Sequence, residues 1–436
     1  MSLALLTGGL VVPLDRSRTP PGLFDILIRN GRIEAVLPAD AAAGSRMPDA
    51  ERFDCRGRII MPGLVNTHLH PDLHLLRGLL EDLSLHEWDG GVPLQRALQV
   101  LDDDGAEPLQ RAAVRAALAE CALGGQTTVV CYGVSPRIDR IAAEELVRLG
   151  LRGRVTVRDP EFAEVPGFAR PHMYRLHAEE GLSVEELEHA AEAHERGEWF
   201  VMHIAETRER VQLCRARFGT TPVRLLARHR LLSPRVLLSH AVHVDDEELD
   251  LIAAAGAPVL ASPVAEAKLA DGLAPVAIMH ERGVPIGLGT DAAVCNNSCD
   301  LLLEARMLGL LQRLGNGAAT LPAEALLTMA TVAGAGILGA PAAAGIAPGA
   351  PADLAVLDAT APHMLPLVSR PGRSNVLTGI VFSGTGQDVT DVMVDGRWVV
   401  RDRGLVAQDA ARIGAALSQA AEELIRRTED AWHLTQ

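Results

Sequence analysis

Lysine is almost absent from this chain: Lys268 is the only one, and the rest of the 41 basic residues are arginines. Any chemistry that needs a lysine has that one position to use. Aromatic residues make up only 3%, so stacking on a planar ligand falls to a few rings such as Trp88, Tyr132 or Tyr174. The six cysteines (Cys55, Cys121, Cys131, Cys214, Cys295 and Cys299) are scattered, with no C-x-x-C pair. That spacing excludes a disulfide-stapled scaffold, which a chain of this size does not need. No apolar run reaches the roughly 18 residues of a membrane span. The opening MSLALLTGGLVVPLD lacks the basic start and small-residue cleavage pattern of a secretory signal. Positive charge in excess is missing too. A formal net charge of −15 repels phosphate backbones and anionic bilayers, so neither nucleic acid nor membrane is an expected partner. The expectation is a cytoplasmic protein with a small-molecule ligand.

What is present is the balance of a soluble globular chain, 48% hydrophobic and 22% charged over 436 residues. That length predicts one large domain with a smaller one. Residues 1–58 read as short strands, with a hairpin signal at Asn30-Gly31 inside FDILIRNGRIEAVLP. Residues 346–436 have the same texture in ADLAVLD, GIVFSG and DVTDVMVDGRWVVRDRG, followed by a helical tail over 409–428. The two β-rich ends are predicted to pair into one β-sandwich. Between them, over 59–345, short apolar runs alternate with helical patterns such as 108–123, SVEELEHAAEAHERG and DEELDLIAAAG. Strands alternating with helices imply a parallel sheet, and the count fits eight units closing into a barrel. In such a barrel the chemistry sits at the C-terminal ends of the strands.

The titratable residues fall at those ends. His68 and His70 finish the first run, His203 finishes WFVMH, His240 finishes RVLLSH and Asp291 finishes PIGLGTD. Alternate residues of a strand share a face, so H-x-H aims two imidazoles at one point. A single histidine at a strand end is more often structural than a ligand. Four strands delivering such groups to one rim change that reading. Neutral imidazoles with a carboxylate suit a borderline divalent ion such as zinc, which lowers the pKa of a bound water toward ~7.

These residues lie in stretches that resemble the amidohydrolase superfamily, in its cytosine deaminase-like, chlorohydrolase and aminohydrolase branch. They are MPGLVNTHLH (61–70), LLRGLLEDLSLHEW (75–88), PHMY (171–174), MHIAET (202–207), LLSHAVHVDDEEL (237–249), SPVAEAKLADGLAPV (262–276), GVPIGLGTDAAVCNNSCDL (283–301) and GIAPGAPADLAVLD (345–358). The resemblance implies a (β/α)8 TIM barrel with a β-sandwich from both chain ends. It implies one divalent metal, zinc or else iron, on His68, His70, His203 and Asp291. It implies that Glu206 shuttles protons to and from the substrate, that His240 lies beside the metal-bound water, and that Asp291 also accepts the water's proton. Two-metal members bridge their ions with a carbamylated lysine before the third ligand histidine. No lysine precedes His203, so a single metal is expected. Homodimers or larger assemblies are common in the family.

The resemblance also offers Glu87, Trp88 and His172 as substrate contacts. His74 and His86 read as lying behind the site or at the surface, and His243 as lying behind the site or structural. Two departures stand out. Glu266 takes the place of the usual Asn, where a rim carboxylate could hold a cationic or amidine-like group. Cys131 takes the place of an Asp before Tyr132. Cys295 and Cys299 read as pocket-wall residues rather than a metal pair. The leading expectation is hydrolytic deamination of an amino-substituted nitrogen heterocycle of purine, pyrimidine, pterin or nucleoside type. The alternatives are removal of chloride or an alkylamine from a triazine-like ring, opening of a cyclic amide, or a metal-binding protein without turnover.

Overall fold

The computed structural model describes residues 3–39, 49–158, 165–168, 172–340, 344–370 and 372–432, with the side chains of His172 and Trp432 outside the description. One of its two nine-stranded sheets is entirely parallel. Seven strands follow in chain order: Leu64–His70, Gln126–Tyr132, Arg152–Val157, His172–Arg175, Phe200–Ile204, Val236–His240 and Val259–Ala261. The eighth is broken. Its first piece, Ile286–Leu288, pairs with the seventh strand. Its second piece, Asp291–Ala292, pairs with the first strand through Asp291 and Leu69. The break at Gly289 and Thr290 thus lets one strand close a (β/α)8 barrel.

Side chains seal that seam. Thr67 Oγ1 donates to the Leu288 carbonyl at 2.8 Å. Asn66 uses its whole amide: Nδ2 donates to Thr290 Oγ1 (2.8 Å) and Gln126 Oε1 (3.1 Å), while Oδ1 accepts from His68 N and Thr290 N, each at 3.2 Å. A fully buried amide is tolerated because its donors and acceptor are met.

The helices follow the expected pattern. Val184–Glu195 starts at Ser183, whose side chain accepts from Glu186 N. Asp246–Ala255 has a capping box between Asp245 and Glu248, and Gly256 ends it in a left-handed conformation. The tail helix, Ala410–Arg427, is capped by Asp409 and packs on Glu107–Leu123.

Strands from the two chain ends pair in one nine-stranded sheet. Asn30 and Gly31 both have positive φ (51° and 79°) and join Gly22–Arg29 to Arg32–Pro38. Asp395 and Gly396 (48° and 70°) do the same for Val389–Val394 and Arg397–Arg401. These are the values of a tight hairpin turn. Leu354–Asp358 from the C-terminal part pairs antiparallel with Arg58–Pro62 from the N-terminal part. Leu3–Val11 shifts register between Leu6 and Gly9 and pairs with both Glu51–Asp54 and Arg58–Pro62. The sheet therefore branches at Leu3–Val11, and Leu6, Ile26, Ile60 and Met393 are buried in one cluster.

Candidate active site

The first barrel strand places His68 and His70 two residues apart, on one face. The fifth strand brings His203, and the second piece of the eighth brings Asp291. Their donor atoms converge. His203 Nε2 lies 3.2 Å from both His68 Nε2 and His70 Nε2. Asp291 Oδ1 lies 3.3 Å from His68 Nε2 and 3.6 Å from His70 Nε2. Three imidazole nitrogens facing one another repel unless a cation stands between them. Tetrahedral zinc, with bonds of about 2.0–2.1 Å, sets its ligand atoms about 3.3 Å apart. The donor set fits such an ion in both chemistry and spacing.

The protonation states fit as well. Burial pushes the imidazoles of His68, His70 and His203 below their usual value, His70 to about 3. They are neutral, as metal ligation requires. Asp291 is buried too, but the neighbouring imidazoles, His68 foremost, hold its carboxyl well below the usual range. Behind His68, Ser239 Oγ lies 3.2 Å from Nδ1, and Tyr132 OH lies 3.2 Å from Ser239 Oγ. This chain fixes the ring that Nε2 presents. Sequence reading missed both Ser239 and Asn66; their only signal is a polar residue inside an apolar strand.

His240 reaches the site by an unusual route. Ser239 pairs with His203 across the sheet and points toward His68. Strict alternation would turn the next residue away. His240 instead has φ of +71°, and Asp291 has +57°. A left-handed non-glycine residue costs about 1–3 kcal/mol and is kept where the surroundings compel it. The His240 Nε2 atom is 3.6 Å from Glu206 Oε1, and Nδ1 is 3.5 Å from Glu266 Oε1. Burial lowers an imidazole's pKa, but these carboxylates outweigh it and raise His240 to about 10. Glu206 precedes the Thr207 cap of the helix Arg208–Phe218. Its second oxygen accepts from Arg210 Nη1.

The amidohydrolase family description matches residues 59–399. A 5-methylthioadenosine/S-adenosylhomocysteine deaminase of Symbiobacterium thermophilum is 32% identical over 448 aligned positions, covering 98% of this chain and 100% of its own. The chain belongs to the amidohydrolase family. The protein of the same description from Halobacterium salinarum is 32% identical over 431 positions, 92% of this chain and 94% of its own. Among solved structures, an adenosine deaminase from Xanthomonas campestris with bound zinc superposes with a TM-score of 0.86 at 25% identity, covering 97% of this chain and 98% of its own. Atrazine chlorohydrolase from Arthrobacter aurescens TC1, complexed with zinc, gives 0.84 at 25%, covering 96% and 100%.

The pocket of this amidohydrolase opens over the ligand set. It encloses about 160 Å³, and its wall includes Trp88, Leu94, Leu98, Leu269, Arg210 and Cys295. Trp88 stands where a substrate contact was expected, whereas Glu87 does not. Glu87 is exposed and turned away, its carboxylate accepting from Ser84 N (3.0 Å) and Ser84 Oγ (2.6 Å) in a capping box. The next acid, Asp89, lines the pocket instead. Glu266 is likewise not a rim carboxylate. It is buried behind His240 and accepts from Ser262 N at 3.0 Å. The side chain of His172 lies outside the described residues.

Tyr132 and Tyr174 do not line the pocket, which leaves Trp88 as its aromatic ring among the described residues. Cys295 and Cys299 part company: Cys299 groups with His74 and Glu120. Lys268 Nζ bonds Glu81 Oε1 at 2.9 Å, away from the ligand set. His86 is exposed, and His243 Nε2 lies 2.7 Å from the Asp271 carbonyl oxygen.

Proposed function

We propose that this amidohydrolase is a metal-dependent hydrolytic deaminase of an amino-substituted nitrogen heterocycle. His68, His70, His203 and Asp291 would hold one divalent ion, with zinc favoured by the zinc in the two structural neighbours. That ion supplies Lewis-acid activation of a water at near-neutral pH. The rest falls to the chain's own residues. Glu206 and His240 face each other beside the donor set, and this pair carries the reading. Deamination requires a proton on the ring nitrogen next to the attacked carbon and another on the departing amine. Glu206 is placed to carry both, at Oε1. His240, held between Glu206 and Glu266, orients the attacking water and carries positive charge next to developing negative charge. Asp291, turned inward by its left-handed backbone, is the nearby acceptor for the water's proton. The balance is C–NH2 plus water giving C=O plus ammonia.

A second reading keeps the site and changes the bond. Leu94, Leu98 and Leu269 make an apolar wall, and one neighbour is an atrazine chlorohydrolase. Chloride leaves without a proton, so that reaction has less use for Glu206. Screening the zinc-loaded protein against aminopurines, aminopyrimidines, pterins and chlorotriazines separates the two. Ammonia release lost in Glu206→Gln supports deamination; chloride release that survives Glu206→Gln supports the second reading. A cytoplasmic setting and a homo-oligomeric state complete the proposal. The six cysteines, all buried and unpaired, fit the first. No helix among the described residues is long and apolar enough to cross a membrane.

A further inference from the structure

We infer that Arg210 is a specificity-determining residue that binds a carbonyl oxygen on the substrate, on the carbon beyond the ring nitrogen that Glu206 serves. The inference rests on the deaminase reading and narrows its substrate class to 2-oxo-amino heterocycles, those containing N=C(NH2) next to a ring C=O.

Arg210 lies four residues past Glu206, on the helix Arg208–Phe218, and its guanidinium lines the pocket beside His203, Glu206 and His240. The side chain is 13% exposed. A guanidinium offers five donors in a rigid plane. Nε donates to Glu180 Oε1 at 2.5 Å, and Nη1 donates to Glu206 Oε2. Nη2 makes no such bond among the described residues. Asp89 Oδ2 lies 3.8 Å from it, beyond hydrogen-bond distance. One donor nitrogen of a largely buried cation is thus left free of protein partners in a residue that lines the pocket.

The arrangement has a direction. Nη1 holds Glu206, and Nη2 is the adjoining nitrogen of the same planar guanidinium. Together they present a proton-transferring acid next to a fixed donor. The complementary ligand edge is a ring nitrogen followed by a carbonyl. An aminopurine without a 2-oxo group matches only the first half. The apolar side chains across the pocket, Leu94 and Leu98 among them, accept a flat ring and offer nothing to hydroxyl groups. Glu87, one of the substrate contacts that the resemblance offered, is exposed.

The test uses two pairs of bases differing only in that oxygen: isoguanine against adenine as substrates, and xanthine against hypoxanthine as binding probes. Ammonia release and titration calorimetry are run on the zinc-loaded protein, its Arg210→Met variant and its Arg210→Lys variant. Wild type is expected to favour the 2-oxo member of each pair by about 10- to 100-fold, the range of a hydrogen bond to a charged group. In Arg210→Met the preference falls to about twofold or less, with Arg210→Lys between. Equal treatment of both bases by wild type overturns the inference. So does a preference that survives in Arg210→Met, since an arginine that only steadied Glu206 would lower both substrates by the same factor. If no base releases ammonia, the deaminase reading fails, and the xanthine–hypoxanthine binding ratio still decides the role of Arg210.

Discussion

Glu266 stands directly behind His240, its Oε1 atom 3.5 Å from Nδ1, while its own position is pinned by the Ser262 amide. The imidazole is therefore held at one nitrogen and works at the other. Groups that orient an active imidazole typically matter by 10- to 100-fold when removed. Glu266→Ala is expected to lower kcat by about that factor while leaving KM and zinc content near wild type. Steady-state kinetics with metal analysis checks this. A large loss of zinc with kcat per bound zinc unchanged would make Glu266 merely structural.

Gly289 lies where the eighth strand breaks and passes the first. A Cβ added there would meet His68 Cβ at 2.4 Å and the His68 backbone N and O at 2.9 Å. Backbone cannot swing aside as a flexible side chain does. Gly289→Ala is expected to destabilise the fold by about 1–3 kcal/mol and to weaken zinc binding by displacing His68. Urea unfolding and competition with a zinc chelator report the two effects separately. A variant with unchanged zinc affinity would show that the first strand tolerates displacement.

Metal binding should stabilise the protein, because His68, His70, His203 and Asp291 come together only in the folded state. Zinc at 100 times its dissociation constant should add about 2.7 kcal/mol. Chelation is expected to lower Tm and abolish hydrolysis, and zinc is expected to restore both. His203→Ala should show little zinc-dependent shift. The measurement is calorimetric Tm against zinc concentration; a shift of equal size in His203→Ala would contradict the assignment.

Glu120 supplies a pH-dependent prediction away from the chemistry. Burial alone would raise its pKa, but His74 Nε2 at 3.2 Å and the Arg77 guanidinium outweigh burial and hold it at about 2. In the unfolded chain it sits near 4.5, so the unfolded state binds the proton first as pH falls. Its stabilisation is fully present above about pH 5 and lost as pH drops through about 2. With the side chain 33% exposed, solvent screening reduces the contribution to about 1–2 kcal/mol. The stability gap between wild type and Glu120→Gln should be widest near neutral pH and close between about pH 5 and pH 2. Urea midpoints at stepped pH give the answer; a gap that stays constant would remove the ion pair as its cause.

Much of this protein is written in short-range pattern. The period-2 rule puts His68 and His70 on one face from sequence alone, because both sit inside a regular strand. The strand–helix alternation carries the barrel, and Asn30-Gly31 and Asp395-Gly396 carry their hairpins, because a tight turn needs positive φ at adjacent residues. His203 is legible as the first polar residue after an apolar run, and Asp291 as the first titratable one. Such features depend on neighbours a few residues away. Glu87 and Glu266 show where the pattern stops. Both look like pocket carboxylates in sequence, yet one caps a short helix and the other stands behind an imidazole, since periodicity governs no side chain outside regular structure.

By itself, then, the chain's pattern determined the parallel barrel, the joining of its two ends and the identity of the converging imidazoles. Only the tertiary structure decided which way His240 faces, because its left-handed backbone overrides strand alternation. It also decided that Arg210 reaches Glu206 with a donor to spare, and that a broken eighth strand carries Asp291 against the first. Those outcomes depend on how the barrel closes, and closure joins residues more than two hundred positions apart, such as Asn66 and Thr290. Local preference carries no information across that separation; packing and hydrogen-bond satisfaction across the seam supply it.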